Sequence, residues 1–364
     1  FQLAYTIAFI FFGKFVDKYG TRIGYTVSVV WWSIAGMLHA LARTPVHFGI
    51  CRALLGLGEA GNFPTAIKSV TEWFPAKDRA LATGIFNSGA SVGAMIGPPL
   101  FVALYQRIGW EACFVLTGAA GFVWLVFWWT LYRLPREHRG VNAAELAYIE
   151  DGQTAKETPM SWLEALEHKE TWGFAAGKFF SDPVWWFYLY WLPPYLFDVR
   201  KFNLNEIGWA LPVIYIMADI GSVAGGWISG FLMRRGWATG RARKAGLAIN
   251  AACMPIAALA VLAHNPVLAV ALVSLATAAH QGWSANLYTT VSDVFPQNAV
   301  ATVTGIGGCV GGFGGFLFSG MIAGYIVTNF GYTPLFLTMG CFHLTGLLII
   351  HLTMGELKPL AARR

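Results

Sequence analysis

Long apolar runs, separated by short polar clusters, fill most of the 364-residue chain. A helix that crosses a membrane needs roughly 17–25 mostly apolar residues. A membrane β-barrel would instead show alternating segments of about ten residues, a pattern that this chain lacks. The sequence therefore predicts an all-α membrane protein with eleven spans, at 1–16, 23–42, 46–69, 81–105, 110–132, 172–197, 206–232, 243–263, 266–291, 299–326 and 332–354.

The composition also suits a chain whose surface faces lipid. Hydrophobic residues make up 56% of the chain and charged residues 12%, whereas soluble domains carry about 25% charged residues. The 16 Trp and 13 Tyr are typical of the aromatic belts where helices meet the membrane interface. We therefore expect a multi-pass protein of the cell membrane, with the lipid bilayer as its surroundings. Two further expectations, a monomeric state and a place in a bacterial inner membrane, do not follow from the composition.

The net charge of +6 reflects membrane orientation rather than nucleic-acid binding. The basic residues are concentrated in short clusters between apolar runs, and cytoplasmic loops carry an excess of Lys and Arg. This rule places five clusters in the cytoplasm: 14–22, 68–79, 133–169, 234–244 and 358–364. The five cysteines all lie in apolar runs, so a disulfide framework is not expected.

The longest polar stretch, 133–171, divides the chain into an N-terminal helical bundle (1–132) and a C-terminal helical bundle (172–364) and forms a cytoplasmic central loop. The segments 72–85 and 293–306 align without gaps, with six of fourteen positions identical. Such repeats are typical of transporters whose solute site lies between the halves; the alternative is coincidence between two loop–helix junctions. Since the chain begins inside an apolar run, we expect an original six-plus-six arrangement with its first span missing.

The first loop contains the pattern Gly13-x-x-x-Asp17-Lys18-x-Gly20-x-Arg22. It resembles the signature that joins the second and third helices of the major facilitator superfamily. The resemblance implies a gating role for Gly13, Asp17, Gly20 and Arg22. The second half carries a degraded copy at 226–236, in which Gly230 stands where the acid would be, so a matching gate charge there is in question.

Further stretches at 51–64, 72–75 and 235–244 resemble the anion:cation symporter branch, and those at 182–193 and 280–287 are most similar to hexuronate and sugar-acid transporters. The resemblance implies the superfamily fold: two pseudo-symmetric six-helix bundles, with eleven of the twelve spans present. It also implies proton-coupled symport of a small organic anion by alternating access, with sodium as an alternative coupling ion. The alternative solute is another organic acid, aromatic or dicarboxylic.

Arg52 and Glu59 are ionisable residues inside a predicted span. Seven residues apart, they lie on one face of a helix, about 10 Å apart along its axis. Charges inside a membrane are costly and usually functional. In the resembling family the matching Glu is a protonation site and the matching Arg belongs to the same polar network, so Glu59 is expected to couple protons and Arg52 to bind substrate. The alternative is an ion pair that locks helices together.

Other polar and aromatic residues in mid-span positions are candidate substrate ligands: Tyr5, Asn87, Ser91, Tyr188, His280, Gln281, Trp283 and Asn286. Small and polar residues also serve helix packing alone, and His280 is expected to be neutral and hydrogen-bonded. Lys178 and Asp182 form an i, i+4 pair that is either functional or a pair near the cytoplasmic end with the lysine snorkelling.

No cofactor, metal or enzymatic activity is expected. The stretch 89–93 matches the Gly-x-Ser-x-Gly pattern, but that motif requires a strand–turn–helix and this one lies within a predicted span. The chain has neither Cys/His metal spacing nor a phosphate-binding loop. An intramembrane enzyme would need a nucleophile–base pair or a metal set, whereas a channel would differ from a symporter in lacking saturable, uphill uptake.

Overall fold

The computed structural model describes residues 1–151 and 160–360. Within these ranges the chain forms helices and no strand, which confirms the all-α prediction. Parts of the predicted central loop (152–159) and of the last basic cluster (361–364) lie outside the described residues. The α-helices are α1 (Gln2–Tyr19), α2 (Thr21–Leu38), α3 (Pro45–Glu59), α4 (Asn62–Trp73), α5 (Ala76–Leu131), α6 (Ala143–Glu150), α7 (Trp162–Glu167), α8 (Lys169–Tyr190), α9 (Leu192–Asp198), α10 (Leu204–Arg234), α11 (Thr239–Cys253), α12 (Ile256–Leu262), α13 (Pro266–Val294), α14 (Val300–Gly315), α15 (Ala323–Phe330) and α16 (Thr333–Met354).

Short 3₁₀ turns at His39–Leu41 and Pro135–Glu137 and a π-helical segment at Phe316–Ile322 complete the secondary structure of the described ranges. In this part of the chain six helical stretches are long and apolar enough to cross a membrane by length and composition. They are Ala76–Leu131, Leu204–Arg234, Thr239–Leu262, Pro266–Val294, Val300–Phe330 and Thr333–Met354.

Helix α5 contains 56 residues but is broken at Gly109, where φ is 77° and ψ is 169°. At 1.5 Å per residue it would measure about 84 Å, roughly twice the thickness of a bilayer. A left-handed φ is readily adopted by glycine, which lacks a Cβ. The chain therefore reverses at Gly109, between the predicted spans 81–105 and 110–132, and its second segment packs on α2, as in the contacts of Tyr25 with Trp124 and Trp128.

Three predicted spans are each interrupted between two separate α-helices. The run 46–69 is divided between α3 and α4, 172–197 between α8 and α9, and 243–263 between α11 and α12. Proline has no backbone N–H and clashes with the preceding turn, so it disrupts a continuing helix. Pro193 near the start of α9 and Pro255 before α12 stand at two of these breaks.

Glycines allow very close packing between the first and second halves of the chain. A Cβ at Gly226 of α10 would collide with the backbone of Ala80 in α5, and one at Gly305 of α14 would lie 2.5 Å from the carbonyl oxygen of Phe9 in α1. Small residues of this kind let membrane helices approach closely. The two helix pairs, α5–α10 and α1–α14, therefore form the main contact between the halves and flank the cavity described next.

Candidate functional site

A cavity of about 140 Å³ lies between the two halves, roughly ten times the space that one water molecule needs. Both halves contribute to its walls, through α1, α4 and α5 on one side and α8, α13 and α14 on the other. His280, one of its lining residues, is 14 residues from each end of α13, about 21 Å along the helix. The cavity is lined by Tyr5, Phe9, Phe63, Asn87, Ala90, Lys178, Asp182, Trp185, Trp186, His280, Gln281, Ser284, Tyr288, Gly308 and Gly312.

Four of the predicted substrate ligands line this cavity: Tyr5, Asn87, His280 and Gln281. The Asn87 amide of the first half donates to Gln281 Oε1 at 2.8 Å and to Ser284 Oγ at 3.1 Å in the second half. Amide groups of this kind can donate to and accept from hydroxyl groups. These side chains therefore give the cavity a polar wall that bridges the two halves.

His280 is buried and hydrogen-bonded to a second histidine. Its Nδ1 lies 3.1 Å from Nε2 of His343 on α16, and its ring stacks on Trp185 with the planes 7° apart. One nitrogen of such a pair must donate and the other accept, so at least one ring is neutral. His343 is a partner that sequence reasoning did not identify, because only the fold brings α16 beside α13.

The other predicted ligands on α8 and α13 do not line the cavity. Tyr188 is 1% exposed and lies in the apolar core of the second half, among residues such as Phe187 and Tyr195. Trp283 is fully buried, with its ring edge-on to His343. The Asn286 amide donates to the carbonyl oxygens of Gly225 and Gly282, which joins α10 to α13. These contacts are those of helix packing.

Ser91 is buried on α5 beside a carboxylate, Asp219 of α10. Asp219 Oδ1 is buried without a hydrogen-bond partner in the described part of the chain. The sequence did carry a signal for this residue, since it is an acid near the middle of the long apolar run Leu204–Arg234, and intramembrane acids are functional candidates.

Arg52 and Glu59 lie on α3, which ends at Glu59. The Arg52 side chain is exposed and Glu59 is half-buried. They interact electrostatically, and no ion pair within 4 Å joins them in the described ranges, as their spacing along the helix predicts. Glu59 also interacts electrostatically with the Tyr5 side chain, and Tyr5 lines the cavity.

Lys178 and Asp182 form a buried ion pair of 2.7 Å on the cavity wall. Lys178 Nζ also donates to the Tyr288 hydroxyl at 2.7 Å and lies 4.2 Å from the centre of that ring. The lysine is 5% exposed and about 14 Å along α8 from its first residue. The lysine therefore does not snorkel to the cytoplasmic end. Of the two interpretations of this pair, the structure contradicts the snorkelling one.

The predicted gate residues meet the start of α14. The Asp17 carboxylate accepts from Lys68 Nζ at 2.7 Å and from the backbone N–H of Thr302 at 2.6 Å. The first N–H groups of a helix lack intrahelical partners and favour an anion. A Cβ at Gly13 would collide with the carbonyl oxygen of Ala301, so glycine permits this contact.

The other two gate residues shape the loop behind this contact. Gly20 has φ 86° and separates α1 from α2, a conformation that glycine adopts without steric cost. Arg22 donates to the carbonyl oxygen of Trp129 at 2.7 Å and lies over the Trp129 ring. Gly20 therefore allows the turn between the two helices, and Arg22 holds the start of α2 against the second segment of α5.

A second charge cluster, formed by residues of both halves, lies at the corresponding junction of the second half. Asp293 lies 2.7 Å from Arg243 Nε and 3.6 Å from Arg79 Nη1, and all three side chains are buried. Arg243 also donates to the carbonyl oxygen of Ala76 at 2.5 Å, across the two halves. At Gly230, a Cβ would lie 2.6 Å from the carbonyl oxygen of Lys77, so this position serves close helix contact instead of charge.

Comparison with known proteins identifies the family of this chain. The family model described as Major Facilitator Superfamily matches residues 1–319. The chain belongs to the major facilitator superfamily. It is therefore a transporter and a multi-pass membrane protein.

Relatives in the major facilitator superfamily carry names of sugar-acid transporters. The Hexuronate transporter of Escherichia coli (strain K12) is 34% identical over 99% of this chain and 84% of its own length. The D-galactonate transporter of Escherichia coli O6:H1 is 29% identical over 98% and 86%. The Probable galactarate/D-glucarate transporter GarP of Escherichia coli (strain K12) is 26% identical over 100% and 86%.

Solved structures of the superfamily share the fold. The proton:xylose symporter XylE bound to 6-bromo-6-deoxy-D-glucose superposes with a TM-score of 0.74, over 98% of this chain and 85% of that one, at 15% identity. The human organic anion transporter MFSD10 superposes with a TM-score of 0.72, over 96% and 81%, at 13% identity. The expected superfamily fold is confirmed.

Proposed function

We propose that this protein is a proton-coupled symporter of a sugar acid, in the simplest case a hexuronate. The observation that carries the proposal is the polar cavity between the halves, which combines amide and hydroxyl groups with a buried lysine. The hydroxyls of a sugar acid can hydrogen-bond to the amide and hydroxyl groups, and its carboxylate can pair with the lysine. The names of the relatives support the same class of solute.

Alternating access would come from rocking of a bundle at 1–132 against a bundle at 172–364, joined by the loop 133–171. The contacts of Asp17 with Thr302 and of Arg243 with Ala76 lie on the predicted cytoplasmic side of the cavity. They support a state closed to the cytoplasm, and the opposite state would have to break them. Because each chain would contain both halves of the cavity, it would work as a monomer.

Coupling to protons would involve Glu59, with Arg52 in the same network. Glu59 is half-buried, and its carboxylate interacts electrostatically with Tyr5 on the cavity wall. A carboxyl group in such a position can bind a proton when its surroundings change. The solute hydroxyls would contact Tyr5, Asn87, His280 and Gln281, all of which line the cavity.

A dicarboxylic acid is the second candidate solute, which the relative named for galactarate and D-glucarate favours. Both solutes would use the same cavity and the same cycle. They differ in the second carboxylate, which would need a second cation or hydrogen-bond donors.

Uptake into proteoliposomes tests the function. Purified full-length protein would be reconstituted and given radiolabelled glucuronate, galacturonate, galactonate or galactarate, with an alkaline interior. Uphill uptake of at least one acid that collapses with a protonophore is expected, and a sodium gradient in its place should drive none. Uptake of none of the acids, or uptake that is driven by sodium alone, would contradict the proposal.

A further inference from the structure

Resting on the proposed function, we propose that Lys178 binds the carboxylate of the transported acid and that Asp182 is the counter-ion it gives up. The released Asp182 carboxylate takes a proton from the medium that fills the cavity. Each turnover thereby carries one proton at Asp182, in addition to any proton carried at Glu59.

The contacts of Lys178 leave it able to bind a second anion. Its ammonium group has three N–H donors, and the described contacts use two of them, to Asp182 Oδ1 and to the Tyr288 hydroxyl. Since Lys178 lines the cavity, the third donor can reach a solute there. The Tyr288 ring beneath the ammonium group helps to hold the cation in place when its counter-ion changes.

Asp182 is placed to exchange with a solute. It lines the same cavity, and its side chain is 20% exposed, more than the 6% of its partner. Its second oxygen lies against Gly311 of α14, where a Cβ would collide with it. Glycine at this position therefore leaves room for the carboxylate beside the helix backbone.

The ionisable and charged groups around Asp182 come from several helices. Lys178 on α8 is the cation among the described residues that line the cavity. His280 on α13 is occupied by its hydrogen bond to His343. The remaining groups that interact with Asp182 are the hydroxyls of Ser181, Tyr288 and Tyr5. Glu59 in turn interacts electrostatically with Tyr5.

Charge balance explains why the proton must accompany the acid. A buried charge without a partner is costly, and the empty site is neutral because Lys178 and Asp182 pair. A solute carboxylate alone would bring an unpaired negative charge. If Asp182 is protonated as the solute binds, the solute carboxylate replaces it as the partner of Lys178 and the site stays neutral. Acid and proton then favour each other's binding, as linkage requires.

The roles of Lys178 and Asp182 can be tested by direct binding of radiolabelled glucuronate to purified protein between pH 5.5 and 8. We expect Lys178→Gln to weaken binding at least about thirtyfold, since it removes one partner of a charged contact. Asp182→Asn should bind glucuronate, and the slope of log Kd against pH should fall by about one, which is the loss of one linked proton. An unchanged slope in Asp182→Asn would overturn its role.

The double variant Lys178→Gln/Asp182→Asn distinguishes a role of the ion pair in solute binding from a purely structural role. It leaves no unpaired buried charge, so it should fold, which thermal unfolding would verify, yet it should still fail to bind glucuronate. Recovery of wild-type affinity in the double variant would overturn the proposal. Lys77→Gln/Asp151→Asn is the matched control, because Lys77 and Asp151 form a Lys–Asp pair of 3.9 Å at the surface, and its affinity should stay unchanged.

The same experiment distinguishes this inference from the function on which it rests. A wild-type protein that binds none of the sugar acids at any pH contradicts the proposed function. A wild-type protein that binds glucuronate, together with a Lys178→Gln variant of equal affinity, contradicts only the assignment of Lys178.

Discussion

The Asp17 carboxylate accepts a hydrogen bond of 2.6 Å from the backbone N–H of Thr302, a residue 285 positions later in the chain. The same carboxylate lies 2.7 Å from Lys68 Nζ. This contact links the C-terminal end of α1 to the N-terminus of α14, where the helix dipole favours negative charge. One side chain thus joins the two halves of the chain through a charge at a helix end.

Asp17→Asn should slow transport without weakening substrate binding. The change removes the charge that stabilises the helix N-terminus and that pairs with Lys68, and the first effect alone is worth up to about 2 kcal/mol. A loss of 1–2 kcal/mol from the closed state corresponds to roughly a 5–30-fold change in its population. Initial rates of uptake in proteoliposomes and the Kd would be measured together. Wild-type rates in this variant would contradict the gate assignment.

Asp293→Asn should destabilise the protein strongly. It leaves the buried guanidinium groups of Arg79 and Arg243 without their counter-ion, and breaking a buried pair typically costs about 3–5 kcal/mol. Thermal unfolding in detergent should show a marked drop in midpoint. Arg234→Gln is the control, because its pair with Asp78 is partly exposed and should be worth at most about 1 kcal/mol. Equal drops in the unfolding midpoint for the two variants would show that burial does not determine how much each ion pair stabilises the protein.

Glu59→Gln should keep substrate binding and exchange but lose part or all of the accumulation driven by a proton gradient. Glutamine resembles the protonated side chain, so the variant cannot release its proton in each cycle. Counterflow exchange and gradient-driven uptake would be compared in the same proteoliposomes. If the variant still reaches the wild-type accumulation ratio, Glu59 carries no coupled proton.

Arg52→Ala is expected to lose substrate binding, although the structure leaves this side chain exposed and not on the cavity wall. Its charge would then act at the entrance or in another state of the cycle. Comparison of its Kd with that of Lys178→Gln decides between the two cations. An unchanged Kd in Arg52→Ala would remove it from the binding site.

The orientation in the membrane can be tested by labelling with an impermeant maleimide on intact cells. Cysteines introduced at Ala144 and Lys358, both exposed and in the basic loops, should not react from outside. A cysteine at His264, exposed in the loop before α13, should react and serves as the positive control. Reaction of the first two and not the third would reverse the topology.

The sequence alone determined the fold class. Apolar runs of membrane length can form only helices or closed barrels in lipid, and the runs here lack the alternation of a barrel. The repeat at 72–85 and 293–306 also marked two equivalent junctions, and in the structure both span the end of one helix and the start of the next. The repeat paired Glu72 with Asp293, which was the available signal for the charge cluster around Asp293.

Only the tertiary structure decided which polar residues share the cavity. Asn87 and Gln281 are 194 positions apart and meet across the halves, whereas Asn286 and Trp283, on the same helix as Gln281, face neighbouring helices. Periodicity assigns a residue to a helix, but not to the partner that its face meets, because that depends on how separate helices pack. For the same reason Lys178 and Asp182 could be identified as a pair from their spacing of four residues, and their burial beside Tyr288 could not.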